Sequence, residues 1–299
     1  MERDIFIISV YCLVVEIMQK IETGYNLRQK GFPPKLTDAE VITIEICGEF
    51  FKLHEDTEIY HYFKRHYLHF FPNLPSRTTF VRQSANLWQV KFLCQSLLVS
   101  RAGQNNDAVQ SIDTLPLPVC TWTRGGRRDK RFATLADYGH CAAKKMDYYG
   151  FKLGLRIARS GMITHFPLLS ARAHDVNHLG TLIEGFSGTV PADKGFLDQY
   201  QQQLWLDIQQ TQVITPLKSN METSSEQVKL VKQTKYWRKL VETVGSQLVE
   251  RFQIAKIKVK DLWHYQNRIF RKILSHTVGV FLNMQSGNKA LQLALLADV

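Results

Sequence analysis

A mixed α/β fold is predicted by three observations. Capped helical patterns fill the first hundred residues, a strand-rich segment with Gly/Asn/Asp turns follows, and helical periodicity returns from about Gln233. With 299 residues and 44% hydrophobic content, the chain can bury one large core or two ordinary ones. An 11% aromatic fraction without low-complexity tracts argues against disorder.

The elements read in order. Ile5–Lys20 is the first core helix, too short and too soon charged to span a bilayer. Thr37-Asp38-Ala39-Glu40 is a capping box ahead of Val41, Ile44, Ile46 and Phe50, separated from the first helix by Pro33 and Pro34. Thr57–Tyr67 reads as a short helix, and Pro72 and Pro75 break the chain after it. Ser76 caps a helix expected to run through Phe80, Leu87, Trp88, Phe92 and Leu97. This succession, with Arg77 and Arg82 on the capped helix, suits either a helix-turn-helix variant or a plain packing bundle.

The polar stretch Gly103–Asp107 marks a boundary. Beyond it Ala108–Asp113 reads as a strand with Val109, Ser111 and Asp113 on one face. Phe151–Arg159 and Ile163–Ser170 read as a hairpin turning at Ser160-Gly161. Asp175 looks like the cap of a helix to Glu184, and Thr189–Asp193 is a short strand held to an edge or end by Pro191. A helix over Asp198–Gln209 and a strand over Gln212–Pro216 follow. Leu240, Val244, Leu248 and Phe252 recur at helical spacing, and a last helix runs from about Lys260 to Leu282. No internal repeat is evident. The expected organisation is a helical N-terminal region over 1–103, a mixed core over 104–285 and a tail over 286–299.

The net charge of +11 favours a polyanionic partner. Between Lys229 and Lys272 there are twelve lysines and arginines against three acids, Glu242, Glu250 and Asp261. That run suits a phosphate-binding surface or simply solvated helix faces. Five cysteines, an odd count without a CxxC spacing, argue against a disulfide framework and a zinc site and favour a reducing cytosol. The start Met-Glu-Arg-Asp lacks the positive charge of a secretory signal.

Metal-assisted phosphoryl transfer needs a few carboxylates converging on two ions roughly 4 Å apart. Asp113 lies in an otherwise apolar strand, where burial is costly without a partner. Asp193 ends the short strand Thr189–Asp193, where a tight turn starting at Gly195 would leave its carboxylate at the sheet's carboxyl edge, and Glu242 follows Arg238 by one helical turn. Each also fits a bland role as a strand end, a turn or a surface ion pair. Asp107, Asp147, Asp175 and Asp198 look locally similar.

Four ordered stretches narrow the choice. Ser111-Ile112-Asp113-Thr114-Leu115-Pro116-Leu117-Pro118-Val119-Cys120, Tyr148–Leu155, Ala192-Asp193-Lys194-Gly195-Phe196 and Arg238-Lys239-Leu240-Val241-Glu242-Thr243 resemble bacterial insertion-sequence transposases, insertion-sequence family 982 most closely. Lys260–His264 and Asn267–Leu274 are also similar to that family. The resemblance spans roughly residues 1 to 285. It implies a ribonuclease-H-like core behind the helical N-terminal region, with Asp113 on the first strand, Asp193 just after the fourth and Glu242 on a C-terminal helix. These three would be the catalytic residues and would bind two Mg²⁺ or Mn²⁺ ions. Related families set Tyr, Arg, Glu and Lys at fixed spacing around the glutamate. Here Arg238 and Glu242 match, Tyr236 is one residue too close, and Val249 stands where Lys is expected, with Lys256, Lys258 and Lys260 as substitutes.

The expected partners are double-stranded DNA, as inverted-repeat ends and as target, held by a homodimer. The basic loop Arg124, Arg127, Arg128, Lys130 and Arg131, together with Arg238, Lys239 and the C-terminal basic stretch, would contact phosphates, and Arg77 and Arg82 would serve the N-terminal helices. Such an enzyme would be cytoplasmic and nucleoid-associated, with no membrane partner. The rivals are a nuclease that cuts without joining and a non-catalytic DNA-binding derivative.

Overall fold

The structure, a computed structural model, describes every residue except 28–30, 126–131, 133–134, 142–144, 217–224 and 297–299. The chain divides into two compact units, Met1–Ala102 with Leu248–Val299, and Gly103–Gln247. Compactness thus groups residues 248–299 with the N-terminal helices, where the expected spans joined 248–285 to the mixed core and left 286–299 as a tail. No helix among the described residues is long and apolar enough to cross a membrane.

The first unit is helical: α1 (Arg3–Gly24), α2 (Asp38–Phe50), α3 (Asp56–His66), α4 (Arg77–Asn86), α5 (Trp88–Arg101) and, from the returning chain, α9 (Leu262–Gln285). The capping box opens α2: Thr37 Oγ1 accepts from Glu40 N–H at 3.2 Å, and Glu40 Oε2 accepts from Thr37 N–H at 2.6 Å. Eleven of the thirteen α2 residues are buried, so this helix is apolar nearly all round and forms the centre of the unit. The helix expected from Ser76 through Leu97 is two helices parted at Leu87. The Ser84 carbonyl accepts from Leu87 N–H at 3.1 Å and from Lys91 Nζ at 3.0 Å, which tightens the turn and ends α4.

Two acids on the buried α2 require cations. Glu49 accepts from Arg271 Nε at 2.7 Å and from Lys272 Nζ at 2.9 Å, and Arg271 Nη1 also reaches Asp56 at 2.6 Å. Glu45 pairs with Lys91 and accepts from Ser84 Oγ. Burial alone would raise Glu49, but Lys272 and Arg271 outweigh it and hold the carboxyl at about 2.

In the second unit β3 (Met146–Ala158) is the hub of an antiparallel sheet. Strand β1 (Gln110–Thr121) lies on one edge of β3, and β2 (Asp137–Cys141), β5 (Leu168–Ser170) and β4 (Ile163–His165) follow one another along the other. The register sets Asp113 opposite Leu155. Gly150 is needed because a Cβ there would strike the Leu117 carbonyl. Gly161, at φ 86°, makes the turn between β3 and β4. The single strand expected over Ile163–Ser170 is split at Phe166-Pro167, where Pro167 has no donor for the ladder.

Strand β1 runs eight residues beyond the expected end at Asp113, through Pro116 and Pro118. Gly154, paired with Thr114, donates its N–H to Pro167, away from β1. Thr114 N–H therefore also points away from β3, and so do the missing donors of Pro116 and Pro118 at the same parity.

Strands β6 (Gly188–Pro191) and β7 (Thr211–Ile214) pair in parallel, and a parallel bridge joins Thr189 to Val109 at the start of β1. Ile112 packs with Leu179 and Leu182 of α6 (Leu179–Ile183), with Val190 and with Val213 in one buried cluster. Helices α7 (Gln199–Gln209) and α8 (Ser225–Glu250) complete the elements.

Within the helical unit, Arg271→Ala would leave Glu49 and Asp56 buried without their shared cation. The expected loss is about 3–5 kcal/mol, read as a fall in the urea midpoint at unchanged slope. A loss under about 1 kcal/mol would mean that the cluster does not hold the unit together.

Candidate active site

Alternation along β1 decides where Asp113 points. Ile112 faces the apolar cluster, so Ser111 and Asp113 face the opposite side of the sheet. On that side Ser111 Oγ donates to the Trp237 carbonyl of α8 at 2.8 Å, and the Arg159 guanidinium lies 5.8 Å from the centre of the Trp237 ring. Helix α8 is thereby fixed to the face that carries Asp113.

Burial pushes the Asp113 carboxyl up to about 7. Repulsion from Asp175, Asp193 and Glu242 adds to the rise, and the Thr114 N–H, 2.7 Å from Oδ1, opposes it. The carboxylates that act on Asp113 on β1 therefore come from the turns before α6 and after β6, and from α8. Asp193 caps the 3-10 turn Lys194–Phe196, two residues beyond the carboxyl end of β6. Glu242 is exposed on α8. Arg238, one turn before it, has Nη1 3.7 Å from Asp193 Oδ1, so its nearest ion-pair partner among the described residues is Asp193.

Asp175 is the member that local sequence reasoning misplaces. It is not the helix cap: His178 holds that position for α6, and Asp175 begins a 3-10 turn, Asp175–His178, whose own N-cap is His174. Its Oδ1 accepts from Thr114 Oγ1 at 2.8 Å and from Lys152 Nζ at 2.9 Å, and Lys152 also donates to the Ala173 carbonyl. Asp175 Oδ2 lies 3.5 Å from where a Cβ on Gly195 would stand, two residues past Asp193. The look-alike acids have other partners: Asp107 binds Arg159, Asp147 binds His140, and Asp198 caps α7.

The donor set suits Mg²⁺ or Mn²⁺ in kind, since every candidate ligand is a hard carboxylate oxygen. The repulsion at Asp113 is of the sort that a divalent cation relieves. As the side chains stand, no three Asp, Glu, His or Cys groups among the described residues are gathered closely enough to hold an ion.

Of the basic residues expected on DNA, Arg77, Arg82, Arg124, Lys239, Lys256, Lys258 and Lys260 are exposed, and Arg238 is partly so. Arg127, Arg128, Lys130 and Arg131 lie outside the described residues. The C-terminal basic stretch needs correction at Arg268, Arg271 and Lys272. All three are ion-paired to Glu49, Glu55 or Asp56, and Arg271 and Lys272 are fully buried, so their charge is spent inside the unit. Sequence reasoning includes Lys232 and Lys235 in the basic run without singling them out. With Arg238 they border a hollow of about 300 Å³ between α8 and the carboxyl ends of β6 and β7, floored by Pro191, Ala192 and Ile214.

Asp113 carries a pH signature. Its ordinary pKa is 3.8 and its folded value about 7, so between these the folded state holds a proton that the unfolded chain releases. Stability therefore falls as pH rises from about 4 to about 7 and then levels off. Asp113→Asn keeps an acceptor for Thr114 N–H and removes this cost. In metal-free buffer the variant should melt roughly 5 °C above wild type at pH 8 and level with it near pH 4. An equal difference at both pH values would rule out the buried charge as its cause.

The family model described as transposase DDE domain matches residues 103–261, more than half of the chain. No curated protein and no solved structure matches it. The matched span takes in β1, the turn after β6 and α8, the elements from which Asp113, Asp193 and Glu242 project. The chain belongs to the transposase DDE domain family.

Proposed function

We propose that this protein is a DNA transposase of the insertion-sequence family 982 kind, cutting and joining strands at the inverted-repeat ends of its element. The observation that carries the reading is the transposase DDE domain match over residues 103–261, the span that holds Asp113, Asp193 and Glu242; the partial burial of Asp113 with acids from distant parts of the sequence raising its pKa is in keeping with it. The second unit would be a ribonuclease-H-like core. Asp113 on the first strand and Glu242 on a C-terminal helix support that assignment, while Asp193 follows the sixth described strand instead of a fourth because of β2 and the split of β4 from β5.

In this reading Asp113, Asp193 and Glu242 hold two Mg²⁺ or Mn²⁺ ions. When bound, such ions activate an attacking oxygen and stabilise a leaving one. The chain's own residues do the rest. Lys152 and Thr114 fix Asp175, so that a fourth carboxylate stays in place without closing on Asp113. Arg238, Lys232 and Lys235 offer cations to the phosphates of a strand lying along α8. Lys239 on α8 and Arg124 after β1 are further exposed cations of the same unit, and Lys256, Lys258 and Lys260 add exposed charge in the helical unit. A homodimer on DNA follows from the need to hold two ends and a target duplex together.

The test uses duplex carrying the element's ends. Wild type with Mg²⁺ should nick and join. Asp113→Ala should bind the ends and do neither, and Asp175→Asn should act about 10–100-fold more slowly. Cutting without joining would make the protein a nuclease. Binding without cutting in Mg²⁺ or Mn²⁺ would make it a non-catalytic derivative. Full activity in Asp113→Ala would remove that residue from the site.

A further inference from the structure

The helical unit carries a hollow of about 270 Å³ between the exposed face of α4 and the start of α9. Arg77, Arg82 and Asn86 line one wall, Trp263 and His264 the other, and no carboxylate is among the lining residues. Arg82 has no ion pair or hydrogen bond among the described residues, and Arg77 reaches only Thr57 Oγ1 at 3.4 Å, too long to occupy a guanidinium. Two unspent cations thus face one small space.

The opposite wall is aromatic and braced. Trp263 is 46% exposed, and its ring meets Trp88 edge-on at 5.8 Å. Trp88 in turn stacks on Phe270 at 5.6 Å. A large indole held this open on a rigid backing is unusual for a residue whose only task is packing. His264 is oriented as well. Its Nδ1 donates to the Asp261 carboxylate at 2.8 Å, and Nε2 has no partner among the described residues.

The chemistry this combination recognises is a phosphate next to a flat ring. Guanidinium pairs grip phosphate oxygens bidentately. A fixed indole gives a base a surface to stack on. Contact with duplex backbone alone would need only exposed arginines. A concave space with an open indole has room for a single nucleotide and none for the width of a helix.

We propose that this hollow takes one unstacked nucleotide of a DNA strand, its phosphate against Arg77 and Arg82 and its base against Trp263. The proposal rests on the reading of the protein as a DNA-acting transposase, and it places a strand contact in the helical unit, apart from the carboxylates.

The test measures binding by the full chain in EDTA, so that cleavage plays no part. The probes are a single-stranded oligothymidylate of about 12 nucleotides, within the span of such sites, and a blunt duplex of similar length. Trp263→Ala should weaken single-strand binding about tenfold and leave duplex binding within about twofold, while Trp263→Phe keeps most of the affinity. Arg77→Ala with Arg82→Ala should lower the salt slope of single-strand binding by roughly one to two. Equal losses on both probes would reassign the hollow to duplex backbone and overturn the proposal, as would unchanged binding in variants with wild-type melting. If wild type cuts end-containing DNA while the hollow variants bind single strand normally, this inference alone falls. If wild type binds neither probe, the transposase reading falls with it.

Discussion

Two acids on a helix with almost no exposed surface set the terms for the helical unit. Glu45 and Glu49 sit on α2, where an unpaired charge would cost several kcal/mol. Their cations come from far along the chain: Lys91 on α5, and Arg271 and Lys272 on α9, the last two more than 220 residues away from Glu49. Helix α9 cannot leave without stranding charge in the core. The unit is therefore closed by the two ends of the chain, and the second unit, Gly103–Gln247, is a segment whose entry and exit both lie in the first. Apolar packing alone, through Phe6, Phe50 and Phe252, would be less particular about partner and register.

The second unit accepts an opposite bargain. Its carboxylates are left to repel one another instead of being neutralised. Lys152 takes up part of Asp175, and Arg238 stands 3.7 Å from Asp193, but among the described residues Asp113 has only the Thr114 backbone N–H. Side chains that oppose stability in this way are common where a charged ligand is to be received. The two units thus use buried charge differently, one as a fastening and the other as an unfilled demand for positive charge.

Much of the fold is legible from local rules. The Thr37 capping box, the change of character at Gly103 and the turn at Ser160-Gly161 all follow from residues within a few positions of each other. What is not legible depends on distant partners. The break between α4 and α5 needs Lys91 to reach back to Ser84, and the attachment of α9 needs acids on α2. Asp175 illustrates the limit at the site. An acid ahead of a helical pattern is a standard cap signal, but its bonds go to Thr114 and Lys152, 61 and 23 residues away. Asp113, Asp193 and Glu242 stand out from Asp107, Asp147 and Asp198 only through family resemblance, because nothing in their immediate neighbours separates a ligand from an ion pair or a cap.

The outer edge of β1 has one more property. From Thr114 to Pro118 the outward positions are 114, 116 and 118. Thr114 N–H is taken by the carboxylate beside it, and the two prolines have none to give. An exposed strand edge normally invites another chain to add itself by backbone pairing, the first step towards aggregation. Here the strand that carries Asp113 offers no hydrogen to such a visitor over five residues. The edge nearest the carboxylates can thus stay open to solvent and to an incoming polyanion without becoming a template for misassembly.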